Sequence, residues 1–344
     1  MKKTVADIGE FGLIERLRRI IGAPEGDRIV VGIGDDAAVW RSASGYTIAT
    51  TDTMVAGVHF LPGAVPWSEV GWKALAANIS DTAAMGGTPT FALVTVCVPP
   101  DMDIAAVEDI YRGMREIAQV YGVTVVGGDV VRSKTLTITI ALLGDADFQE
   151  GDGAPKLLRR NAARVGDTIA VTGELGGAAG GLRVLTRRRP RPRTEAEQAL
   201  VERHMHPWPR VDAGGAAIAA GIACGMDISD GLLQDLGHIC RASGVDAELR
   251  LADIPLEPGL TDTFGADAPM LALTGGEDYE LLLTGGERLH LAHRLLREQL
   301  GVDSLWEVGR ITGPGKGRVR VIDERGKAVR VPNAGFDHLR KATR

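Results

Sequence analysis

The chain lacks most of the features that settle function quickly. It has three cysteines, Cys97, Cys224 and Cys240, in no CxxC pair and at no metal-ligand spacing. They read as small core residues of a reducing compartment, and a structural zinc site is not expected. No apolar run approaches the ~20 residues that span a bilayer. Lys2 and Lys3 are followed by Asp7 and Glu10 rather than by an apolar stretch. No signal peptide is therefore expected, and the reading is a soluble, cytoplasmic protein with no membrane partner. A net charge of -6 gives no field for nucleic acid. The densest basic stretch, Arg187 to Arg193, is interrupted by Pro190 and Pro192 and reads as a solvated loop. The Gly-x-x-x-x-Gly-Lys-Ser/Thr phosphate loop, the protein-kinase signature set and the Gly-x-Ser-x-Gly elbow are all missing.

What the chain does have is length and glycine. Its 344 residues suggest two domains of moderate size, each able to bury a core. Apolar spacing predicts helices over 8–21, 70–85, 104–121, 211–220 and 289–300, and others opening after Gly177 and Gly231. Strands are predicted at 29–32, 38–40, 46–51, 91–98, 123–126, 136–143, 168–172, 248–251, 271–274, 279–284, 306–311 and 319–322. His204 and His206, flanking Met205 before Pro207, read as loop residues. A stretch rich in Gly, Asp and Pro from Gly144 to Pro155 places a boundary, giving domains 1–148 and 149–344. Strands and helices mix without strict βαβ alternation, so both halves are expected to be α+β.

Many of the 45 glycines sit beside aspartate. Asp35 and Asp36, Asp52, Asp129, Asp227 and Asp230 fall where strands are predicted to end or helices to begin, and Asp81 joins them from within a helix. Magnesium takes hard oxygen ligands and keeps substrate phosphates in its shell. Glycine lets backbone N–H groups approach phosphate oxygens. Any one such turn alone reads as an ordinary turn or cap, but the set points to magnesium-nucleotide chemistry. Strand alternation leaves room for only one ligand in the Asp35-Asp36 pair. The glycine-rich stretch Gly173 to Gly181 is open between phosphate contact and close packing of a helix entry.

The order of these motifs carries a resemblance. Gly32-Ile33-Gly34-Asp35-Asp36-Ala37, then Thr51-Asp52-Thr53 through His59-Phe60, then Lys73-Ala74-Leu75-Ala76-Ala77-Asn78-Ile79-Ser80-Asp81 lie in the first half, with Gly127-Gly128-Asp129 after them. Asp227-Ile228-Ser229-Asp230-Gly231-Leu232 and Gly275-Gly276-Glu277-Asp278-Tyr279-Glu280 follow in the second. With Gly9-Glu10-Phe11 and Gly335-Phe336-Asp337-His338 at the two ends, the whole chain resembles the thiamine-monophosphate kinase family of the aminoimidazole ribonucleotide synthetase-like superfamily. The resemblance implies an N-terminal α+β domain that dimerises through its sheet and a C-terminal α+β domain that closes over nucleotide and substrate. It implies a magnesium shell of Asp36, Thr50, Thr51, Asp52, Asp81, Asp129, Asp227 and Asp230. Nucleotide contacts would be Tyr111, Gly128, Asp129, Arg160 and Ser229. Substrate contacts would be His59, Glu277 and Phe336. Val130-Val131 stands where the family often has hydroxyl residues, Ile79 stands where leucine is usual, and the Arg187 to Arg193 loop is outside its pattern.

The activity so implied is direct transfer from ATP to thiamine monophosphate, assisted by several magnesium ions, with no protein group acting as catalytic base. Other superfamily members remain as alternatives. A selenophosphate synthetase would want a reactive cysteine near a glycine-rich N-terminus, and the earliest here is Cys97 in an apolar strand. A purine cyclo-ligase should lack the His59 and Gly-Gly-Glu-Asp-Tyr-Glu contexts. A non-catalytic nucleotide-binding partner would have lost metal ligands.

Overall fold

The computed structural model describes residues 12, 29–32, 34–42, 45–147, 153–187, 192, 194–300 and 305–331. The helix predicted over 8–21, apart from Gly12, and Phe336 lie outside them. The first half runs β1 (Ile29–Val31), β2 (Ala38–Arg41), β3 (Tyr46–Val55), α1 (Trp67–Ala84), β4 (Thr88–Val98), α2 (Ile104–Tyr121), β5 (Thr124–Arg132) and β6 (Thr137–Ala146). Its six strands form one sheet in the order β1-β2-β3-β6-β4-β5. The second half begins with β7 (Thr168–Thr172), α3 (Gly177–Thr186), α4 (Glu195–Met205), α5 (Val211–Ala219), β8 (Cys224–Asp227) and α6 (Leu232–Ser243). It continues with β9 (Val245–Arg250), α7 (Leu260–Phe264), α8 (Ala268–Thr274), β10 (Leu281–Gly285), α9 (Arg288–Leu300), β11 (Leu305–Pro314) and β12 (Val319–Ile322). Its sheet is ordered β12-β9-β11-β7-β10-β8. Both halves are α+β.

Helices α1 and α2 cover one face of the first sheet, burying Leu75, Ile79, Ile110, Met114 and Ile117 against Val94, Val96, Ile138, Ile140 and Leu142. Alternation along the strands sends the intervening residues to the other face, where Phe91, Leu93 and Val131 stay exposed. The second sheet is covered on both faces. Ile169, Val171 and Leu282 pack under α6 and α8, while Ala170, Leu281 and Leu283 meet α5 and α9. A strand buried on both sides needs an unbroken apolar run, which is what Leu281-Leu282-Leu283 supplies.

Two differences from the sequence reading share one cause, which is pairing, and two others concern helices. Asp52 does not end a strand: β3 continues past it, because all ten of its residues pair with β6 from Tyr46–Ala146 to Val55–Thr137. Asp129 likewise lies inside β5, which runs on through Gly127 and Gly128 beside β4. A Cβ at Gly128 would fall 1.8 Å from the Val94 carbonyl oxygen, so only glycine fits there. The strand predicted at 271–274 is instead the end of α8, which opens with Pro269 and buries Ala268, Ala272 and Leu273 at helical spacing. His204 belongs to the last turn of α4 rather than to a loop. That helix went unpredicted because its polar face is wide and little of it is apolar.

The crossing of α1 and α2 depends on two glycines facing carbonyls. A Cβ at Gly71 would lie 1.8 Å from the Ile110 oxygen, and one at Gly113 would lie 1.8 Å from the Ser68 oxygen. Gly113→Ala is expected to cost about 1–3 kcal/mol, the range of overpacking in a close contact, and to lower Tm in a thermal melt followed by circular dichroism. Gly215→Ala, in a helical position with nothing within 4 Å, is the matched control and should leave Tm unchanged or slightly raised.

Candidate active site between the two sheets

The turn between β1 and β2 carries Asp35 and Asp36; α1 carries Asn78, Ser80 and Asp81; β8 ends in Asp227. Carboxylate oxygens of Asp36, Asp81 and Asp227 come within 4.8 Å of one another, drawn from three elements and both halves of the chain. Thr50 donates its hydroxyl to Asp81 Oδ2, and Ser80 donates to Asp227 Oδ2 at 2.7 Å. Asn78 Oδ1 accepts the Asp52 N–H at 3.2 Å. Arg160 forks onto Asp36, with Nη2 at 2.6 Å from Oδ1 and Nε at 3.2 Å from Oδ2. Its backbone N–H reaches both oxygens of Asp35 at 3.4 Å. Asp35 and Asp36 lie in a turn, so strand alternation does not separate them and both approach Arg160.

The charges crowd each other. Burial, then the charges of Asp52, Asp227 and Asp36, push the Asp81 carboxyl well above its usual range. Burial and Asp36 raise Asp227, against the Ser80 hydrogen bond and Arg160. Asp35 is lifted from 3.8 to about 6, mainly by burial and then by Asp36. One guanidinium does not offset this many carboxylates, and the hard, buried oxygens converging here are the donor set of a divalent cation.

Not every expected ligand joins them. Thr50 and Asp52 share the helix-facing side of β3, whereas Thr51 points to the exposed side, where its neighbour Thr53 meets Thr139 at 2.9 Å between hydroxyl oxygens. Asp129 lies on that same exposed side: its row runs Thr53–Thr139 and Thr139–Thr95, then Thr95–Asp129. Three strand spacings, ~14 Å, separate the two ends of that row. Tyr111, on α2, lines a groove with Thr124 and Val125 at the start of β5 and is likewise remote from the three-carboxylate centre. Asp230 belongs to a neighbouring group with Asp235 and His238. There Asp235 Oδ2 accepts the N–H groups of Asp230 and Gly231 at 3.1 and 3.0 Å.

The His59 imidazole Nδ1 accepts the Val55 N–H at 3.0 Å in the turn after β3. Glu277 is tied to Ser229 through its backbone, its N–H donating to the Ser229 oxygen at 2.8 Å.

Both halves match known families. Residues 34–146 match the AIR synthase related protein N-terminal domain, and 164–322 match its C-terminal domain. The thiamine-monophosphate kinase of Escherichia coli (strain K12) is 35% identical over 333 residues, covering 96% of this chain and 98% of that one. The thiamine-monophosphate kinase of Aquifex aeolicus is 35% identical over 281 residues, covering 81% and 86%. The chain belongs to the thiamine-monophosphate kinase family. It is an enzyme of the thiamine-phosphate kinase class. A solved structure of AaThiL complexed with AMPPCP and TMP superposes with a TM-score of 0.83 at 32% identity over 98% of this chain and 99% of that one. Hydrogenase maturation protein HypE in complex with ATP, at 19% identity and a TM-score of 0.64 over 87% and 89% of the two chains, shows the fold alone.

The kinase-family motif Gly-Gly-Glu-Asp-Tyr-Glu can be accounted for residue by residue. Gly276 sits where a Cβ would be 2.4 Å from the Ser229 oxygen. Asp278 accepts the N–H groups of Gly176 at 2.8 Å and Ala178 at 3.2 Å. It thereby occupies the N-terminus of α3 and decides the Gly173 to Gly181 question in favour of a packed, internally capped helix entry. Glu280 is buried and takes Arg210, Arg203 and Thr172. The sequence reading missed Lys73, His204 and Asp235 as site groups. Lys73 lay inside a quoted motif, but nothing in the order of residues showed what it would face.

The raised carboxyl pKa values fix the sign of a pH effect. In metal-free protein the folded state holds protons that the unfolded state has released. Stability is then greatest below the ordinary pKa near 3.8 and is lost as pH rises through about 6 for Asp35, and beyond for Asp81 and Asp227. The Tm of chelated protein is expected to fall from pH 4.5 to pH 8, and a divalent cation should restore it most at pH 8. Asp81→Asn should flatten both trends; a Tm that rises with pH would contradict the placement of these groups.

Proposed function

We propose that the chain transfers the γ-phosphoryl group of ATP directly and in line to the phosphate of thiamine monophosphate, giving thiamine diphosphate and ADP. The observation that carries this reading is the meeting of Asp36, Asp81 and Asp227 within 4.8 Å where the two halves join. The same oxygens fit magnesium, and Asp52, Thr50 and Asp230 lie close enough in the fold to extend the shell. Magnesium, when bound, supplies the positive charge that lets two phosphates meet. Residues 1–148 supply most of the shell, and residues 149–344 supply Asp227, Asp230, Ser229, Arg160 and Glu277. The acceptor is a phosphate monoester whose second pKa is near ~6, so its attacking oxygen is anionic at neutral pH and no general base is required. Arg160 offers a fixed guanidinium fork to phosphate oxygens once cations relieve Asp36 of its pairing. Glu277 is the carboxylate partner of the cationic thiazolium, and Phe336, which lies outside the described residues, is its proposed stacking partner.

Tyr111, Gly128, Asp129 and Thr51 enter the same reading through a second copy of the chain. The exposed sheet face bearing Phe91, Leu93 and Val131 is apolar, and Asp129 and Thr51 lie on it. Packing two such faces together buries the apolar strip and brings one copy's Asp129 and nucleotide contacts toward the other copy's Thr51 and Asp52. The enzyme is accordingly proposed to work as a cytoplasmic homodimer. No helix among the described residues is long and apolar enough to cross a membrane.

Purified protein with ATP and magnesium should phosphorylate thiamine monophosphate and leave free thiamine untouched. Phosphorylation of free thiamine alone would refute the acceptor. Asp129→Asn and Asp227→Asn should each abolish turnover. Mixing the two inactive variants under subunit exchange should restore roughly a quarter of wild-type activity, since half the dimers would then carry one intact site. No recovery would place Asp129 outside the partner's site.

A further inference from the structure

Lys73 is a buried lysine with no place in the proposed shell or nucleotide contacts. It projects from α1, the helix that carries Asn78, Ser80 and Asp81. Its Nζ lies 2.8 Å from Glu277 Oε2, across the join between the two halves. His204 Nδ1 stands 3.5 Å from the same oxygen and 3.5 Å from the lysine nitrogen. Burial and the Lys73 charge push the His204 pKa down to about 3, so this histidine is neutral and adds no charge of its own. Burial alone would favour the protonated form of Glu277; the Lys73 ammonium brings its pKa below the usual value instead.

The backbone at Glu277 has φ +67, a left-handed conformation that a non-glycine residue holds only when its surroundings impose it. Those surroundings are the Ser229 oxygen on the backbone and Lys73 with His204 on the side chain. Both contacts of the carboxylate fall on Oε2, while a quarter of the side chain, 26%, stays accessible. Lys73 itself is only 5% exposed and cannot exchange its partner for water. An ion pair so enclosed is held in one geometry, and removal of either partner leaves the other charge uncompensated.

We infer that Lys73 is a positioning residue for the phosphate acceptor: its ammonium fixes Oε2 of Glu277 so that the remaining oxygen is presented, ionised, to the cationic ring of the substrate. The inference rests on the reading of Glu277 as a substrate contact. It adds that the specificity carboxylate is set from the same helix that sets Asp81, so acceptor ring and metal shell share one rigid support.

A double-mutant cycle in the full-length enzyme tests it, with KM for thiamine monophosphate, KM for ATP and kcat measured separately. Lys73→Met should raise KM for the acceptor about tenfold with KM for ATP nearly unchanged, as expected for loss of one charged hydrogen bond. Lys73→Arg should recover much of that loss. Glu277→Gln should raise the acceptor KM at least as far, and Lys73→Met added to it should change nothing more. If Glu277→Gln raises the acceptor KM and Lys73→Met does not, the inference about Lys73 fails while Glu277 remains a substrate contact. If Glu277→Gln has no effect, the reading of Glu277 itself fails. Multiplying effects in the double variant would show Lys73 acting as general structural support, and would also overturn the inference. Should Lys73→Met melt below assay temperature, Lys73→Gln carries the same comparison.

Discussion

Most of this structure follows from the cost of holding several carboxylates together away from water. Asp36, Asp81 and Asp227 meet within 4.8 Å, and Asp35 and Asp52 stand close behind them. Burial, and then mutual repulsion, raise the pKa values of Asp35, Asp81 and Asp227. Only added positive charge or retained protons can balance such a group. Arg160 provides one charge, and Thr50 and Ser80 provide hydrogen bonds. The remainder is left for a cation and a ligand, which makes the metal-free centre a standing electrostatic imbalance of the kind found at functional sites.

The helix Trp67–Ala84 is the element that holds this imbalance in place. Gly71 lets it lie against α2 on its carbonyls, while Ala83 and Ala84 pack against α5 in the other half. Trp72 donates its indole N–H to the Pro207 oxygen at 2.8 Å and stacks on His206 at 3.5 Å between ring centroids. Lys73 and Ser80 reach Glu277 and Asp227 across the same join. One rigid rod therefore sets the positions of the three meeting carboxylates and of Glu277 from both halves. A small shift of it would misplace all of them together.

The two faces of the first sheet divide the remaining work. The helix face buries the core and carries Thr50 and Asp52. The other face carries Thr51 and Asp129 among exposed apolar residues. Alternation along a strand assigns adjacent residues of one motif, Thr50-Thr51-Asp52, to opposite faces. A motif continuous in sequence thus serves two surfaces.

The sequence by itself determined the α+β class, most helices and strands, and the ordered aspartate motifs that led to the family. Those rest on local periodicity, on glycine beside aspartate, and on motif order, all of which are one-dimensional. It also singled out Asp36, Asp81 and Asp227, which only the resemblance gathered into one shell. Tertiary structure alone decided that β3 and β5 run on through Asp52 and Asp129, because strand length is set by the partner strand. It decided that His204 lies in a helix facing Glu277, and that Asp278, not a phosphate, caps the helix after Gly177. It also gave Lys73 its partner, since an ion pair joining residues two hundred positions apart leaves no trace in spacing along the chain.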